Sequence, residues 1–333
     1  MLKVSIVMKL CKLFGRGVKE CDDPELVNHP HVHTSAKGGC MHAQKFLFQQ
    51  AIAVVRHGER LDSSREPRSE RTDQELKRWP HDCPLTRRGF QRSREVGKTL
   101  ANVGSVAPFE VIVSSPYLRC AQSASEIARV LKLPVIFDDD LGEVGENVGK
   151  TFVQTSPPHR SPQELALSLH SDFPDVEYGV DDQGLQILGG YPAFPESLLM
   201  ARTRFAKKAQ HICHAAATEL KSVIIVTHAD ALDAILGSMK MSWESTQVAT
   251  SSFFIATREV PISAKSTSGP RSSDERVYGS RTPKWQVECS PGIKYTKNSA
   301  CVQKRIHDLR RRHGRLHRNS FELGAVSFGP LIP

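Results

Sequence analysis

The ten residues AIAVVRHGER, 51–60, decide how the rest of the chain is read. Five small or β-branched apolar residues run without a turn into Arg56, His57, Gly58, Glu59 and Arg60. A short continuous apolar run of this kind suits a strand buried on both faces of a parallel sheet. The charged residues then emerge at its carboxyl end, where open α/β sheets place their ligands. Gly58 lets the backbone turn there and is expected to bring main-chain N–H groups close to an anion. A guanidinium gives bidentate hydrogen bonds to oxyanions, so two arginines flanking one imidazole point to a histidine that meets a phosphoryl group. Two arginines paired with carboxylates beside a buried histidine would fit the same residues.

Three further apolar runs resemble IAVV (52–55): FEVIVSS (109–115), PVIF (134–137) and SVIIVTH (222–228). Helical patterns lie between them. PLTRRGFQRSREVGKTLANV offers Thr86 as an N-cap, and SPYLRCAQSASEIARVLKL offers Pro116 at the first helical position and an apolar stripe from Leu118 to Leu131. PESLLMARTRFAKKAQHICHAAATEL and HADALDAILGSM complete the set. Alternating strands and helices of these lengths predict a three-layer α/β/α sandwich around a mostly parallel central sheet. Two inserts interrupt the alternation, a charged one at 62–83 and a Pro- and Gly-rich, acidic one at 144–195. Inserts that leave the carboxyl ends of strands can form the rim of a site.

At 333 residues, 39% hydrophobic and 24% charged, the chain can bury a substantial core. Its net charge of +9 is uneven, because 15 Lys and Arg face 6 Asp and Glu from Arg258 onward, and 30 face 30 before it. The domain reading is an N-terminal extension at 1–44, expected to be disordered, a domain at 45–257, and a basic low-complexity tail at 258–333. The tail charge alone does not mark a nucleic-acid binder, since no basic patch interleaved with aromatics accompanies it. Within the extension, HPHVH (29–33), Cys40 and His42 match no zinc-site spacing. Leu2, Ile6, Leu10, Leu13 and Phe14 could line a short basic amphipathic helix, but Lys3, Lys9 and Lys12 break any secretory h-region. No run reaches the roughly 18–20 apolar residues that span a bilayer. The eight cysteines form no C-x-x-C pair, and reduced thiols in a cytoplasmic protein are expected.

Other sites converge on the first. Arg119 falls in the first turn of its helix, where free N–H groups and the dipole favour an anion. His228 ends the SVIIVTH strand and could bind a phosphate oxygen or orient the nucleophile. Glu143 and Glu146, in the loop after PVIF, are both candidates for a general acid. A second RHG at Arg312, His313 and Gly314 follows a basic helical run rather than a strand, and is set aside.

The ordered set RHGER, PLTRRG, SSPYLRCAQSA, LGEVGE, FPES with Arg202 and Arg204 after it, and VTHAD resembles the histidine phosphatase, or phosphoglycerate mutase-like, superfamily over about residues 50–240. RHGER, Trp79 and the Asp82–Thr86 segment look most like the phosphatases of the ubiquitin-associated and SH3 domain-containing type. The resemblance implies that His57 attacks phosphorus and becomes phosphohistidine. It further implies that Arg56, Arg60, Arg119 and His228 hold the phosphoryl oxygens, that Glu143 serves as the acid with Glu146 as the alternative, and that no metal or other cofactor takes part. A metal-independent phosphomonoesterase acting on a phosphate-ester substrate is the expectation. A mutase-type phosphotransferase and a catalytically inactive scaffold of the same fold are the alternatives.

Overall fold

The computed structural model describes residues 47–103, 108–144, 159–182, 184–239, 245–261 and 284–295. Its elements begin with β1 (Leu47–Arg56), α1 (Glu70–Arg78), α2 (Arg87–Val103), β2 (Phe109–Ser114), α3 (Leu118–Leu131) and β3 (Val135–Asp138). Then come α4 (Pro162–His170), β4 (Val180–Asp181), β5 (Gly184–Leu185), β6 (Ile187–Leu188), α5 (Leu198–Thr218) and β7 (Ser222–Thr227). The last are α6 (Ala229–Ser238), β8 (Ser245–Val248), β9 (Phe253–Pro261), β10 (Gln286–Cys289) and β11 (Ile293–Tyr295).

Seven strands make the main sheet in the order β10-β9-β1-β7-β2-β3-β6. Every neighbouring pair from β1 to β6 is parallel, and β9 runs antiparallel to both β1 and β10. Alternate side chains of the central strands feed two separate cores, as the period of two requires. Ile52, Val54, Val111, Val113, Val223 and Ile225 pack on the side of α5 and α6, where Phe205, Ile212 and Leu232 meet them. Ala53, Val55, Ile112, Ile224 and Val226 pack on the opposite side, against Leu100 of α2 and Ile127 of α3. Helices thus cover both faces, which is why these strands read as unbroken apolar runs.

Each strand and helix expected between residues 52 and 239 forms, with two differences, and the helical runs read near the two termini lie outside the described residues. Pro116 was expected inside the first turn of α3, but that helix begins at Leu118 with Tyr117 as N-cap. Asp82 fixes the start, its Oδ1 accepting the Leu118 N–H at 2.6 Å. The sheet also continues past residue 257, since β9 reaches Pro261 and β10 pairs with it from within the segment read as a tail. Thr86 does cap α2, its Oγ1 accepting the Gly89 N–H at 2.9 Å. Within the inserts, α1 lies in the first, and α4 and β4 to β6 in the second.

The carboxyl ends of β1, β7, β2 and β3 are adjacent because the strands are adjacent and parallel. His57, His228, Ser115 and the loop bearing Glu143 leave those ends. The N-terminal extension with HPHVH, Cys40 and His42, the alternative acid Glu146, and the second RHG at 312–314 lie outside the described residues. Among the described residues no helix is long and apolar enough to cross a membrane, and Cys83, Cys120, Cys213 and Cys289 are not disulfide-bonded.

Candidate functional site

His57 follows the last residue of β1 and is buried. Its Nδ1 lies 2.8 Å from the Gly58 carbonyl, so Nδ1 carries the proton and Nε2 keeps its lone pair. Burial pulls its pKa well below the ordinary histidine range, and Arg119, His228 and Arg56 push the same way. The ring is neutral at neutral pH.

The backbone around it is engaged by the protein. The His57 N–H donates to the Thr227 carbonyl at 3.0 Å, and the Gly58 N–H to Ser123 Oγ at 2.9 Å. The expected main-chain cradle at Gly58 therefore does not form. Glycine is required at position 58 for another reason: a Cβ there would lie 2.7 Å from the Gly89 carbonyl oxygen. Strand end and helix α2 touch backbone to backbone.

Arg119, on the first turn of α3, is 1% exposed. It donates from Nη1 to the His81 carbonyl at 2.9 Å and from Nη2 to Glu143 Oε2 at 3.1 Å. Glu143 Oε2 also lies 3.1 Å from His228 Nδ1, whose Nε2 is 3.1 Å from Ser115 Oγ. These distances fit one neutral tautomer, in which Nδ1–H donates to Glu143 and Nε2 accepts from the Ser115 hydroxyl. Burial brings His228 down to about 4 against the upward pull of Glu143. Burial would raise the Glu143 carboxyl, but His228, Arg119 and the Val144 N–H outweigh it and hold the carboxyl well below its usual range. Glu143 is an ion when the site is empty of substrate.

Arg56 donates from Nη1 to the Val248 carbonyl. Burial lowers its pKa, Arg60 and Arg119 add to that, and Glu143 opposes it. Among the described residues, Arg56 Nε and Arg119 Nε are buried N–H groups without a hydrogen-bond partner. Half-buried Arg56 and buried Arg119 thus stand beside a neutral imidazole, and a buried donor left unmatched costs about 1–3 kcal/mol.

Arg60 stands apart from this cluster. Its guanidinium holds Asp62 through two bonds of 2.8 and 2.6 Å and is 37% exposed, so in this state it lies at the rim. Arg202 faces Asp233 at 3.6 Å. Arg204 grips Glu196 at 2.8 and 2.7 Å and donates to the carbonyls of Asp140 and Gly142 at 2.7 and 3.2 Å. That bracket fixes the loop carrying Glu143. Sequence reasoning placed Arg204 in the pattern without a task, and it missed Ser115, whose hydroxyl is an ordinary strand-end serine until the fold brings His228 to it.

Among the described residues, the donor atoms of His57, Glu143 and His228 lie within 4.8 Å of one another, close enough in principle for a metal ion. Arg56 and Arg119 flank the same space, and their charges repel a divalent cation where they would attract an oxyanion. Cys120, 3.6 Å from His228 Nε2, has its thiol pushed up to about 12 by burial and is no nucleophile.

Residues 52–249 match the histidine phosphatase superfamily (branch 1). No curated protein matches the chain by sequence. Among solved structures, the chain is similar to an ecdysone phosphate phosphatase from Bombix mori in complex with tungstate, at 19% identity and a TM-score of 0.48, covering 67% of this chain and 98% of that one. It is similar to a mycobacterial glucosyl-3-phosphoglycerate phosphatase at 13% identity and a TM-score of 0.39, covering 72% and 97%. A phosphoglycerate mutase from Bacillus anthracis aligns at 18% identity and a TM-score of 0.40, covering 66% and 93%.

Proposed function

The chain belongs to the histidine phosphatase superfamily, and from that premise we propose that it is a phosphomonoesterase working through a phosphohistidine on His57 without a metal. The observation that carries this reading is a neutral, buried His57 whose Nε2 keeps its lone pair, with the charges of Arg119 and Arg56 acting on the ring. In the first step Nε2 attacks phosphorus, an N–P bond forms, and the P–O bond to the leaving group breaks. Charge accumulates on the equatorial phosphoryl oxygens, where Arg56 and Arg119 supply the stabilisation. Arg60 joins them by turning from Asp62 at the rim.

Glu143 gives its proton to the leaving oxygen. It can do so only once substrate has arrived, because it is ionised beforehand. The incoming phosphoryl group supplies that proton economy, since it competes for Arg119 and places negative charge beside the carboxylate. In the second step a water loses a proton to Glu143, its oxygen bonds phosphorus, and the N–P bond breaks to release phosphate and free His57. His228, itself held by Ser115, keeps the acid in place.

Within the superfamily we place the chain near the phosphatases of the ubiquitin-associated and SH3 domain-containing type, on RHGER, Trp79 and the Asp82–Thr86 segment. The guanidinium groups of Arg78 and Arg160 lie over the Trp79 ring at 4.5 and 3.9 Å, and Asp82 accepts a hydrogen bond at the start of the helix that bears Arg119. The test is metal-free hydrolysis of para-nitrophenyl phosphate by wild type, His57→Ala and His313→Ala. Loss confined to His57→Ala supports the reading. A folded wild type without turnover, or turnover that survives in His57→Ala, overturns it in favour of the inactive scaffold or another nucleophile.

A further inference from the structure

Away from the phosphoryl site, a cavity of about 150 Å³ opens between α5, the end of α6 and the antiparallel side of the sheet. Arg258 of β9 and Trp285, the residue before β10, line it, and Met239 and Ala209 add apolar surface. Arg258 stands opposite Gln50 in the ladder that joins β9 to β1. Gln50 lies near the start of β1, and Arg56 and His57 lie at the other end of that strand, about 20 Å away along an extended chain.

The guanidinium is held in one orientation. Gln50 is fully buried, and its amide nitrogen donates to the carbonyls of Cys213 and Lys221 at 2.9 and 3.2 Å. Those two bonds turn its Oε1 toward Arg258, whose Nε donates to it at 2.8 Å. Nη2 of Arg258 reaches the Cys213 carbonyl at 3.4 Å, and the guanidinium lies 4.4 Å over the Trp285 ring. One edge and one face are thus taken, while Nη1 has no hydrogen-bond partner among the described residues. The charge is also unmatched. Among the described residues the lining holds no Asp, Glu or Lys, so Arg258 is its one permanent charge. Burial lowers the Arg258 pKa, and Cys213 opposes that, its own thiol pushed up to about 12 by burial.

We propose that this cavity binds a short-chain carboxylate, a monoanion of about four to six non-hydrogen atoms, at a site separate from the phosphoryl site. The open end of a planar guanidinium matches the two oxygens of a carboxylate. A single cation balances a single negative charge, and a dianion would bring a second charge into the cavity without a partner. Met239, Ala209 and the Trp285 ring cover a short alkyl chain. The volume equals about five waters of liquid, which is the size of a four-carbon acid. Gln210 and His214, one helical turn apart on α5, are exposed members of the same lining.

The experiment follows the indole N–H of Trp285 by NMR in the full chain, with the signal assigned by its loss in Trp285→Phe. Sodium butanoate is titrated in, and butanamide and inorganic phosphate serve as comparisons. Butanoate is expected to shift the signal saturably with a Kd of about 1 mM, and the other two to bind at least about tenfold more weakly. Arg258→Met is expected to weaken butanoate at least about tenfold. Gln210→Glu, at an exposed position that leaves the core intact, sets a carboxylate in the lining with Arg258 and is expected to weaken butanoate about tenfold as well. No saturable shift in wild type, equal affinity for butanamide or phosphate, or an affinity unchanged in both variants overturns the inference. None of these outcomes depends on turnover at His57.

Discussion

If the substrate's phosphoryl group takes Arg119 from Glu143, binding must carry a proton into the site. Glu143 Oε2 sits 3.1 Å from Arg119 Nη2, so an oxyanion accepting from that guanidinium lies about 4 Å from the carboxylate. One like-charge pair at that distance costs about 4 kcal/mol at an effective dielectric of 20, which is about three pKa units. A dianion adds to this. The free carboxyl is held well below its usual range, and a bound oxyanion pushes it upward, toward the protonated form. The sign follows: a group whose pKa rises on binding takes up a proton, and affinity strengthens by up to about tenfold for each pH unit lost between the free and bound values. His57 and His228 face the same oxyanion and contribute protons of their own. Calorimetric titration with tungstate at pH 6, in two buffers of different ionisation heat, counts the protons. Wild type is expected to take up more protons than Glu143→Gln. An equal count in the two proteins refutes the exchange of Arg119 between Glu143 and substrate.

Other consequences are independent of that one. Gly58→Ala forces a Cβ to 2.7 Å from a backbone oxygen, which no rotamer relieves. It should cost about 1–3 kcal/mol, read as a lowered Tm, and displace His57 enough to reduce kcat. Arg204→Met frees the loop carrying Glu143 and removes the ion pair of buried Glu196 with Arg204. As a positioning change it should lower kcat about ten- to a hundredfold with a smaller change in KM, and broaden the acid limb of the pH profile. Asp139 is pushed up to about 7 by burial, with Asp138 and Asp140 adding to it. A raised carboxyl pKa makes the ionised form destabilising, a cost that grows from about pH 4 to 7 and then levels off. Asp139→Asn should therefore stabilise the fold by on the order of 2–4 kcal/mol at pH 8, with the gain vanishing near pH 4 in parallel thermal melts.

The central strands were legible because burial on both faces leaves an unbroken apolar run, and IAVV, VIVSS and SVIIV carry that signature. The antiparallel part was not. β9 mixes Thr257, Arg258 and Glu259 into its second half, since it lies near the sheet edge, and β10 has only Val287 buried among its four residues. Such strands alternate too briefly to stand out from a loop. Of the site, His57, Arg119, Glu143 and His228 were readable because each follows or nearly follows a strand end, and parallel neighbours bring those ends together. Arg60 was readable as a residue type but not as a rim group, because its partner Asp62 is settled by the turn Leu61–Ser63. Arg204 reaches the loop carrying Glu143 across more than sixty residues of chain, and no local pattern encodes that contact.

The claim on which the account depends is the covalent intermediate on His57. Rapid quenching of enzyme with radiolabelled phenyl phosphate, under alkaline conditions that preserve phosphohistidine, followed by peptide mapping, tests it directly. The account predicts label on the peptide containing His57, lost on mild acid treatment, absent from His57→Ala and accumulating when Glu143→Gln slows the water step. Turnover by wild type with no label on that peptide, or with label on another residue, would contradict it.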